Sequence, residues 1–332
     1  MEDVSYRMTF KVVIVGCGRI AGLFDSQSSS QLVTSHASAY RNNGNFELSG
    51  CVDIDQNIGR LFAKEHSIPH SSQDLLSIIE LVKPDVVSVT TPDATHFQVV
   101  RQIVEHNRFP PRIVFVEKPV CTKEDELLSL IKLTRKSTVP IIVNHSRRFN
   151  PFYKNLKKDF EQFKFGELLG VESTYYGGWL HSGVHVVDTL RFLFSREFRS
   201  AKIIESIPSK SIADPTITIK ADLGSDNVPV WFKGWRDDHY QIFDFEFRFS
   251  LGRLRIANFE QQITWERSIV NLLKENVLVP ADLQGKYDGG ASMENAVQLI
   301  YKYLLANDLT VLDGYLLDDV APTMTTLWQF KV

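Results

Sequence analysis

Three features of this 332-residue chain point to an α/β protein in two parts. The length suits two domains of roughly 150 residues each. From residue 10 to about 145, short apolar runs alternate with helix-length amphipathic stretches, the pattern of parallel strands wrapped by helices. Beyond that point apolar and polar residues alternate at period two with no helix needed between runs, as in an antiparallel sheet. The expectation is a doubly wound domain over residues 1–148 and a second α/β domain over residues 149–332.

In the first part, strands are expected at Phe10–Val15, Phe46–Val52, Val86–Val89, Ile113–Val116 and Ile141–Val143, each a run of apolar residues short enough to cross one sheet. Between them lie helical stretches at Gln56–Glu65, Gln73–Val82, Thr95–Asn107 and Lys123–Arg135. The last opens with Glu124-Asp125-Glu126, which suits the positive end of a helix dipole. In the second part the clearest strand is Tyr240–Ser250, where Phe243, Phe245, Phe247 and Phe249 share one face and Asp244, Glu246 and Arg248 the other. Further strands are expected at Leu168–Tyr176, Ile217–Leu223, Val228–Trp235, Gly252–Phe259 and Ile263–Ile269, with a late helix near Met293–Leu305. Ser26–Gln31 reads as a polar loop.

Composition removes several function classes. An apolar fraction of 43% with 23% charged residues is that of an ordinary globular protein. Lys and Arg number 37 against 40 Asp and Glu, and neither half has the basic excess that neutralises a phosphate backbone, so no nucleic-acid partner is expected. The run Val12–Cys17 is far shorter than the roughly 20 residues of a membrane span, and no membrane association is expected. The start Met1-Glu2-Asp3 lacks the basic region of an export signal. Cys17, Cys51 and Cys121 are odd in number and widely spaced, which suggests neither a disulfide framework nor a cysteine zinc site. A reducing cytoplasm is the expected location.

Strand Phe10–Val15 runs into Gly16-Cys17-Gly18-Arg19-Ile20-Ala21, a G-x-G-x-x-A loop at the start of an expected helix. The first glycine permits a tight turn, the second lets backbone approach a pyrophosphate, and the small third residue lets helix and strand close up. A glycine-rich turn without ligand is the plain alternative. Dinucleotide sites also want an acidic residue at the end of the second strand, and Asp53 supplies it. It lies 37 residues after Gly16 because Phe24–Val33 reads as an insertion. A carboxylate there repels a 2′-phosphate and no arginine follows closely, so NAD is favoured over NADP.

Two further groups stand at strand ends, where ligands of open α/β sheets collect. Thr91-Pro92-Asp93-Ala94-Thr95-His96 follows the strand Val86–Val89, and Glu117-Lys118-Pro119 follows Ile113–Val116. Farther on, a glycine-rich loop enters Trp179-Leu180-His181-Ser182-Gly183-Val184-His185-Val186-Val187-Asp188. If a helix begins at His181, then His181, His185 and Asp188 line one face. That stripe suits a zinc site, an acid-base site around a polar substrate, or a helix end whose histidines bond nearby carbonyls.

Together the glycine loop, Thr91–His96, Glu117-Lys118-Pro119, Arg147-Arg148-Phe149-Asn150-Pro151 and Gly183-x-His185-x-x-Asp188 resemble the Gfo/Idh/MocA oxidoreductases in order and rough spacing, over nearly the whole chain. The resemblance implies a Rossmann domain and a substrate-binding and oligomerisation domain built on a large, mostly antiparallel open sheet. It implies hydride exchange between a nicotinamide cofactor, NAD, and a carbinol or ketone carbon of a sugar, an inositol or a nucleotide-linked sugar, in a homodimer or homotetramer. Lys118 matches the family's lysine beside the nicotinamide and His185 its catalytic histidine. Substrate contacts are expected from His181, Asp188, Arg148 and Tyr176; cofactor contacts from Gly16, Gly18, Arg19, Ile20, Asp53, Thr91, Pro92, His96, Glu117 and Lys118; no metal is expected. Most members carry an aspartate where this chain has His181; a subgroup with histidine there resembles sugar-modifying enzymes of surface-polysaccharide pathways. Redox-assisted glycoside cleavage and a non-catalytic dinucleotide sensor are the alternatives the same residues allow.

Overall fold

The computed structural model describes residues 9–23, 33–209, 214–236, 238–283 and 292–330. Two compact units emerge: Met1–Phe149 with Ala291–Ala321, and Asn150–Gly290 with Pro322–Val332. The expected polar loop at Ser26–Gln31 lies outside the described residues.

The first unit runs β1 (Phe10–Val15), a π-helical turn (Arg19–Leu23), α1 (His36–Asn43), β2 (Phe46–Val52), α2 (Gln56–His66), β3 (His70–Ser72), α3 (Leu75–Val82), β4 (Val86–Val89), α4 (His96–Glu105), β5 (Ile113–Glu117), α5 (Glu124–Thr134), β6 (Ile141–Asn144) and α6 (Ser146–Phe149). Six parallel strands lie in the order β3-β2-β1-β4-β5-β6. Every residue of β4, β5 and the edge strand β6 is buried, as expected of parallel strands covered on both faces. Helix starts follow their caps: Asp55 accepts from the N–H groups of Asn57 and Ile58, and Asp74 from Leu76 and Ser77. Each cap contributes about 1 kcal/mol. Asp74 also explains why α3 begins at Leu75 and not at Gln73.

The second unit runs α7 (Pro151–Glu161), β7 (Leu168–Tyr176), a second π-helical turn (Trp179–Gly183), α8 (Val184–Phe194), β8 (Phe198–Ile207), β9 (Thr216–Leu223), β10 (Val228–Trp235), β11 (Phe243–Phe249), β12 (Gly252–Ala257), β13 (Gln262–Val270) and β14 (Asn276–Ala281). Its eight-stranded sheet has the order β14-β13-β12-β11-β7-β10-β9-β8. Only β7 and β10 pair in parallel. On the inner face Phe243, Phe245, Phe247 and Phe249 are buried, and Phe160 of α7 stacks on Phe194 of α8 and packs against Phe247 and Phe249. The other face carries a ladder of ions. Glu172 pairs with Lys233 and Arg248, Glu246 with Arg248, Arg253 and Arg255, and Glu266 with Arg253. Strand β12 stops two residues before the expected Phe259 because Asn258, Phe259 and Glu260 all turn left-handed, with φ of 51°, 51° and 65°.

The chain then returns. Helix α9 (Ser292–Ala306) belongs with the first unit, where Ala296, Val297, Ile300 and Leu304 join the core that holds Phe10, Tyr40 and Phe46. Asn42 Nδ2 donates to Glu294 Oε1 at 3.0 Å and Arg112 Nη2 to Leu304 O at 2.7 Å. The outward crossing lies after Phe149, one residue beyond the expected 148/149 division, and residues 291–321, expected in the second domain, belong to the first unit. An amphipathic period fixes which side of a helix is buried and says nothing of which core receives it. The last helix, α10 (Leu317–Gln329), contains the second crossing, between Ala321 and Pro322.

Candidate active site

The carboxyl edge of the parallel sheet assembles in sequence order. Leaving β1, Gly16 has φ of 91°, and a Cβ on it would lie 2.7 Å from the backbone N of Thr91. Both the angle and the space demand glycine. Thr90 Oγ1 locks the turn by donating to Gly16 O at 2.6 Å. Gly18 differs: a Cβ there would meet no atom of the described residues within 4 Å. Nothing among the described residues requires glycine at 18, and its bare backbone is open to a ligand. The turn continues as Arg19–Leu23 in π-helical geometry, not the α-helix expected, with Arg19 exposed and Ile20 half-buried.

Asp53 reaches this loop from the end of β2. Its Oδ2 accepts the N–H of Cys17 at 2.8 Å and its Oδ1 the N–H of Asp55 at 2.9 Å. Each oxygen keeps a lone pair for a further donor. At the end of β4, Thr91 is half-buried and Pro92 exposed, and Thr91 Oγ1 is a buried hydroxyl with no hydrogen-bond partner among the described residues. A bare cradle at Gly18, an unspent hydroxyl at Thr91 and a ribose-ready carboxylate at Asp53 fit a dinucleotide.

His96 is fully buried, with Nε2 2.7 Å from Thr91 O and Nδ1 2.7 Å from Pro119 O. Expected as a cofactor contact, its ring instead joins the loops after β4 and β5, so any share it takes in cofactor binding is indirect. The reason is local: the start of α4 turns the ring under both loops, and both nitrogens are spent on backbone carbonyls.

Glu117 closes β5. Its Oε1 lies 3.0 Å from His36 Nε2 and accepts from Asn144 Nδ2 at 2.6 Å. Burial opposes the charge on Glu117, but His36, Asn144 and the neighbouring Lys118 outweigh it and hold the carboxyl below the usual carboxylate range. His36 and Asn144 are site residues the sequence reading missed. The signal for His36 was its place just after a serine N-cap; Asn144 ends its strand as Asp53 and Glu117 end theirs. Lys118 follows, half-buried, beside this ionised carboxylate. Arg148 stands elsewhere in the first unit, 5% exposed, donating from Nη1 to Gly314 O at 2.8 Å.

In the second unit, Gly177 and Gly178 lead from β7 into the π-helical turn, and α8 starts only at Val184. The condition for one shared face is thus not met. His181 is exposed and His185 half-buried in the first turn of α8. Asp188 is 2% exposed and accepts from Thr323 Oγ1 at 2.9 Å, while Arg191 donates to the same hydroxyl at 2.8 Å. Expected as a substrate contact, Asp188 is here a buried tie between α8 and α10, its carboxylate on the inward side of α8 where Thr323 meets it. A further residue missed in the sequence, Asp214, caps the turn, its two oxygens accepting the N–H groups of Leu180 and His181 at 2.7 and 2.9 Å. Around His185, the Phe243 ring stands edge-on at 5.5 Å, with Tyr176 5.6 Å beyond it. Among the described residues no group of three His, Cys, Asp or Glu is placed to hold a metal ion.

Comparison with known proteins agrees with this layout. Residues 10–145 match the model of the oxidoreductase family with an NAD-binding Rossmann fold, GFO_IDH_MocA. An inositol 2-dehydrogenase of Mycolicibacterium smegmatis is 29% identical over 162 residues, 44% of this chain and 46% of that protein. The chain's match spans about half the length of its curated relatives. Among solved structures, scyllo-inositol dehydrogenase from Lactobacillus casei, with bound NAD(H) and scyllo-inositol, superposes with a TM-score of 0.72 at 16% identity, covering 97% of this chain and 96% of that one. KijD10, a 3-ketoreductase from Actinomadura kijaniata in complex with NADP and TDP-benzene, gives 0.75 at 14% identity, covering 97% of each. At such identities the superpositions speak for the fold alone. The glycine loop and the carboxyl-edge acid agree with that match: over residues 10–145, the Rossmann domain, this chain is similar to the Gfo/Idh/MocA oxidoreductases.

Proposed function

We propose that the protein is an NAD-dependent oxidoreductase that moves a hydride between nicotinamide and a carbinol or ketone carbon of a sugar, an inositol or a nucleotide-linked sugar. The observation that carries this reading is Lys118: a half-buried amine at the carboxyl edge of the sheet, on the strand end next to the one that closes over Gly16, with an ionised Glu117 as its neighbour. NAD supplies a hydride acceptor. Asp53 offers its remaining lone pairs to the adenine ribose and disfavours a 2′-phosphate, and the open backbone at Gly18 takes the pyrophosphate.

In oxidation His185 takes the hydroxyl proton as the hydride leaves, a task for a group that titrates near neutrality. Lys118 hydrogen-bonds the same oxygen and stabilises the negative charge that develops there. His36 and Asn144 hold Glu117 ionised, and His96 pins the loop that follows Lys118. His181, exposed in the second unit's turn, is assigned to substrate hydroxyls together with Tyr176. The unit whose outer sheet face carries the ion ladder is read as the oligomerisation domain of a dimer or tetramer, and three buried free thiols suit a reducing cytoplasm.

The test is a screen of inositols, free sugars and nucleotide sugars against the purified protein with NAD, following reduced nicotinamide. Stoichiometric reduction by at least one polyol supports the reading. Glycoside cleavage without net reduction replaces it with redox-assisted hydrolysis.

A further inference from the structure

The turn between β12 and β13 is built against backbone preference. Asn258, Phe259 and Glu260 are successive left-handed residues, a conformation that suits glycine or asparagine and is unfavourable for a bulky aromatic side chain. The surroundings enforce it. The hydroxyl of Tyr153, a fully buried residue of α7, donates to Glu260 Oε1 at 2.5 Å. Asp244 Oδ1 accepts the N–H of Asn258 at 3.0 Å, and Asn258 Nδ2 donates to Gln261 Oε1 at 2.9 Å. Backbone strain that neighbours hold in place clusters where function needs a side chain put somewhere specific.

Where this turn puts its side chain is informative. The Phe259 ring lies 5.7 Å from Phe243, the ring that stands edge-on to His185 at 5.5 Å. Phe243 is 5% exposed, whereas Phe259 keeps 38% of its surface open. Packing therefore does not need an aromatic residue at 259, and asparagine would make the same turn with less strain. Phe259 is the open edge of an aromatic group that backs His185.

We infer that Phe259 is a specificity-determining residue whose ring forms the apolar wall for the C–H face of a ring-shaped polyol or sugar reacting at His185. This rests on the reading of His185 as the proton-handling group. A ring with equatorial hydroxyls presents axial C–H bonds to such a wall, and an axial hydroxyl on that face would lose its water without finding a partner. The site then prefers all-equatorial rings.

The experiment compares wild type, Phe259→Asn and Phe259→Tyr with NAD and four probes: scyllo-inositol, myo-inositol, D-glucose and UDP-glucose. The asparagine suits the left-handed turn and removes the wall; the tyrosine keeps the ring. For whichever probe wild type oxidises best, Phe259→Asn is expected to raise KM by about fivefold or more with kcat within about twofold, and Phe259→Tyr to restore KM. Melting temperatures of all three should agree within a few degrees. Unchanged KM in Phe259→Asn, or failure of Phe259→Tyr to restore it, overturns the inference while leaving the oxidoreductase reading intact. So does a collapse of melting temperature and activity together, which assigns Phe259 to the fold. A wild type inert toward all four probes defeats the oxidoreductase reading, and this inference with it.

Discussion

Asp53 holds Cys17: a carboxylate oxygen at the end of β2 accepts the backbone N–H between the two glycines at 2.8 Å. One side chain thus shapes the loop and, on our reading, meets the ribose. The two tasks separate by substitution. Wild type is expected to bind NAD(H) at least about tenfold tighter than NADP(H), roughly 1.4 kcal/mol. Asp53→Asn keeps an acceptor for Cys17 and should erase most of that preference, whereas Asp53→Ala should weaken both cofactors. Calorimetry showing that wild type prefers NADP(H) would refute the assignment.

The two glycines of the loop should respond oppositely. Gly16→Ala forces a Cβ into the Thr91 backbone at positive φ, and about 2 kcal/mol or more of stability should be lost. Gly18→Ala meets no atom of the described residues, so its melting temperature should stay near wild type while NAD affinity falls about tenfold. Thermal melts and cofactor titrations of both variants decide this. Equal destabilisation would mean that Gly18 serves the fold and not a ligand.

Lys118→Ala and His185→Ala remove groups wanted in the transition state. Turnover should drop by about 10² or more, with NAD affinity within about twofold because neither is assigned to the adenosine half. His181→Ala should act mainly on KM. Steady-state kinetics with an active polyol, together with metal analysis, checks these outcomes. Stoichiometric zinc, lost on replacing either histidine, would overturn the metal-free mechanism.

Glu117 gives a pH signature. Its carboxyl titrates below the ordinary value in the folded protein, so the stability it adds is complete above the unfolded-chain value near pH 4.3 and is lost as pH falls through the lower folded value. Glu117→Gln should flatten that acid limb in melts recorded from pH 6 to 3. His36→Leu leaves a buried carboxylate with one fewer donor and should cost on the order of 3 kcal/mol at pH 7. An acid limb unchanged in Glu117→Gln would contradict the assignment.

Assembly tests the outer face of the second sheet. Glu246 meets three arginines there. Exposed pairs are individually worth about 1 kcal/mol or less, so a reason for so ordered a ladder is a partner lying over it. Light scattering should report a dimer or tetramer at micromolar concentration, and Glu246→Lys should shift it toward monomer. A monomeric wild type would remove the proposal.

Much of this was legible in the residues. Strands β1, β2 and β4 begin and end where their apolar runs do, because a largely buried run has no other place to lie, and β7 and β10 where their one-sided alternation does. Strand β3 was not legible: His70-Ser71-Ser72 has no apolar signal and pairs only as an edge. Nor was β8, whose largely exposed residues take their strand form from β9. Within the site, Gly16, Asp53 and Lys118 could be read because each sits at a strand end. His36, Asn144 and Asp214 act through partners far away in sequence, and no local pattern encodes such a meeting. The stripe of His181, His185 and Asp188 failed at His181, because helical spacing was counted across a turn that is wound more widely.

The returning helix α9 bears on how the protein comes into being. Its Ile300, Val297 and Leu304 complete the core around Tyr40 and Phe46, yet they follow those residues by some 250 positions. A nascent chain that has emerged only as far as residue 149 owns all six strands of the first sheet but lacks this cover. On a ribosome adding about 5–20 residues per second, that apolar surface waits on the order of ten seconds or more while the entire second sheet is made. The dinucleotide domain is thus the first to begin folding and among the last parts to finish, and a fragment cut at residue 149 should expose the bare core and aggregate.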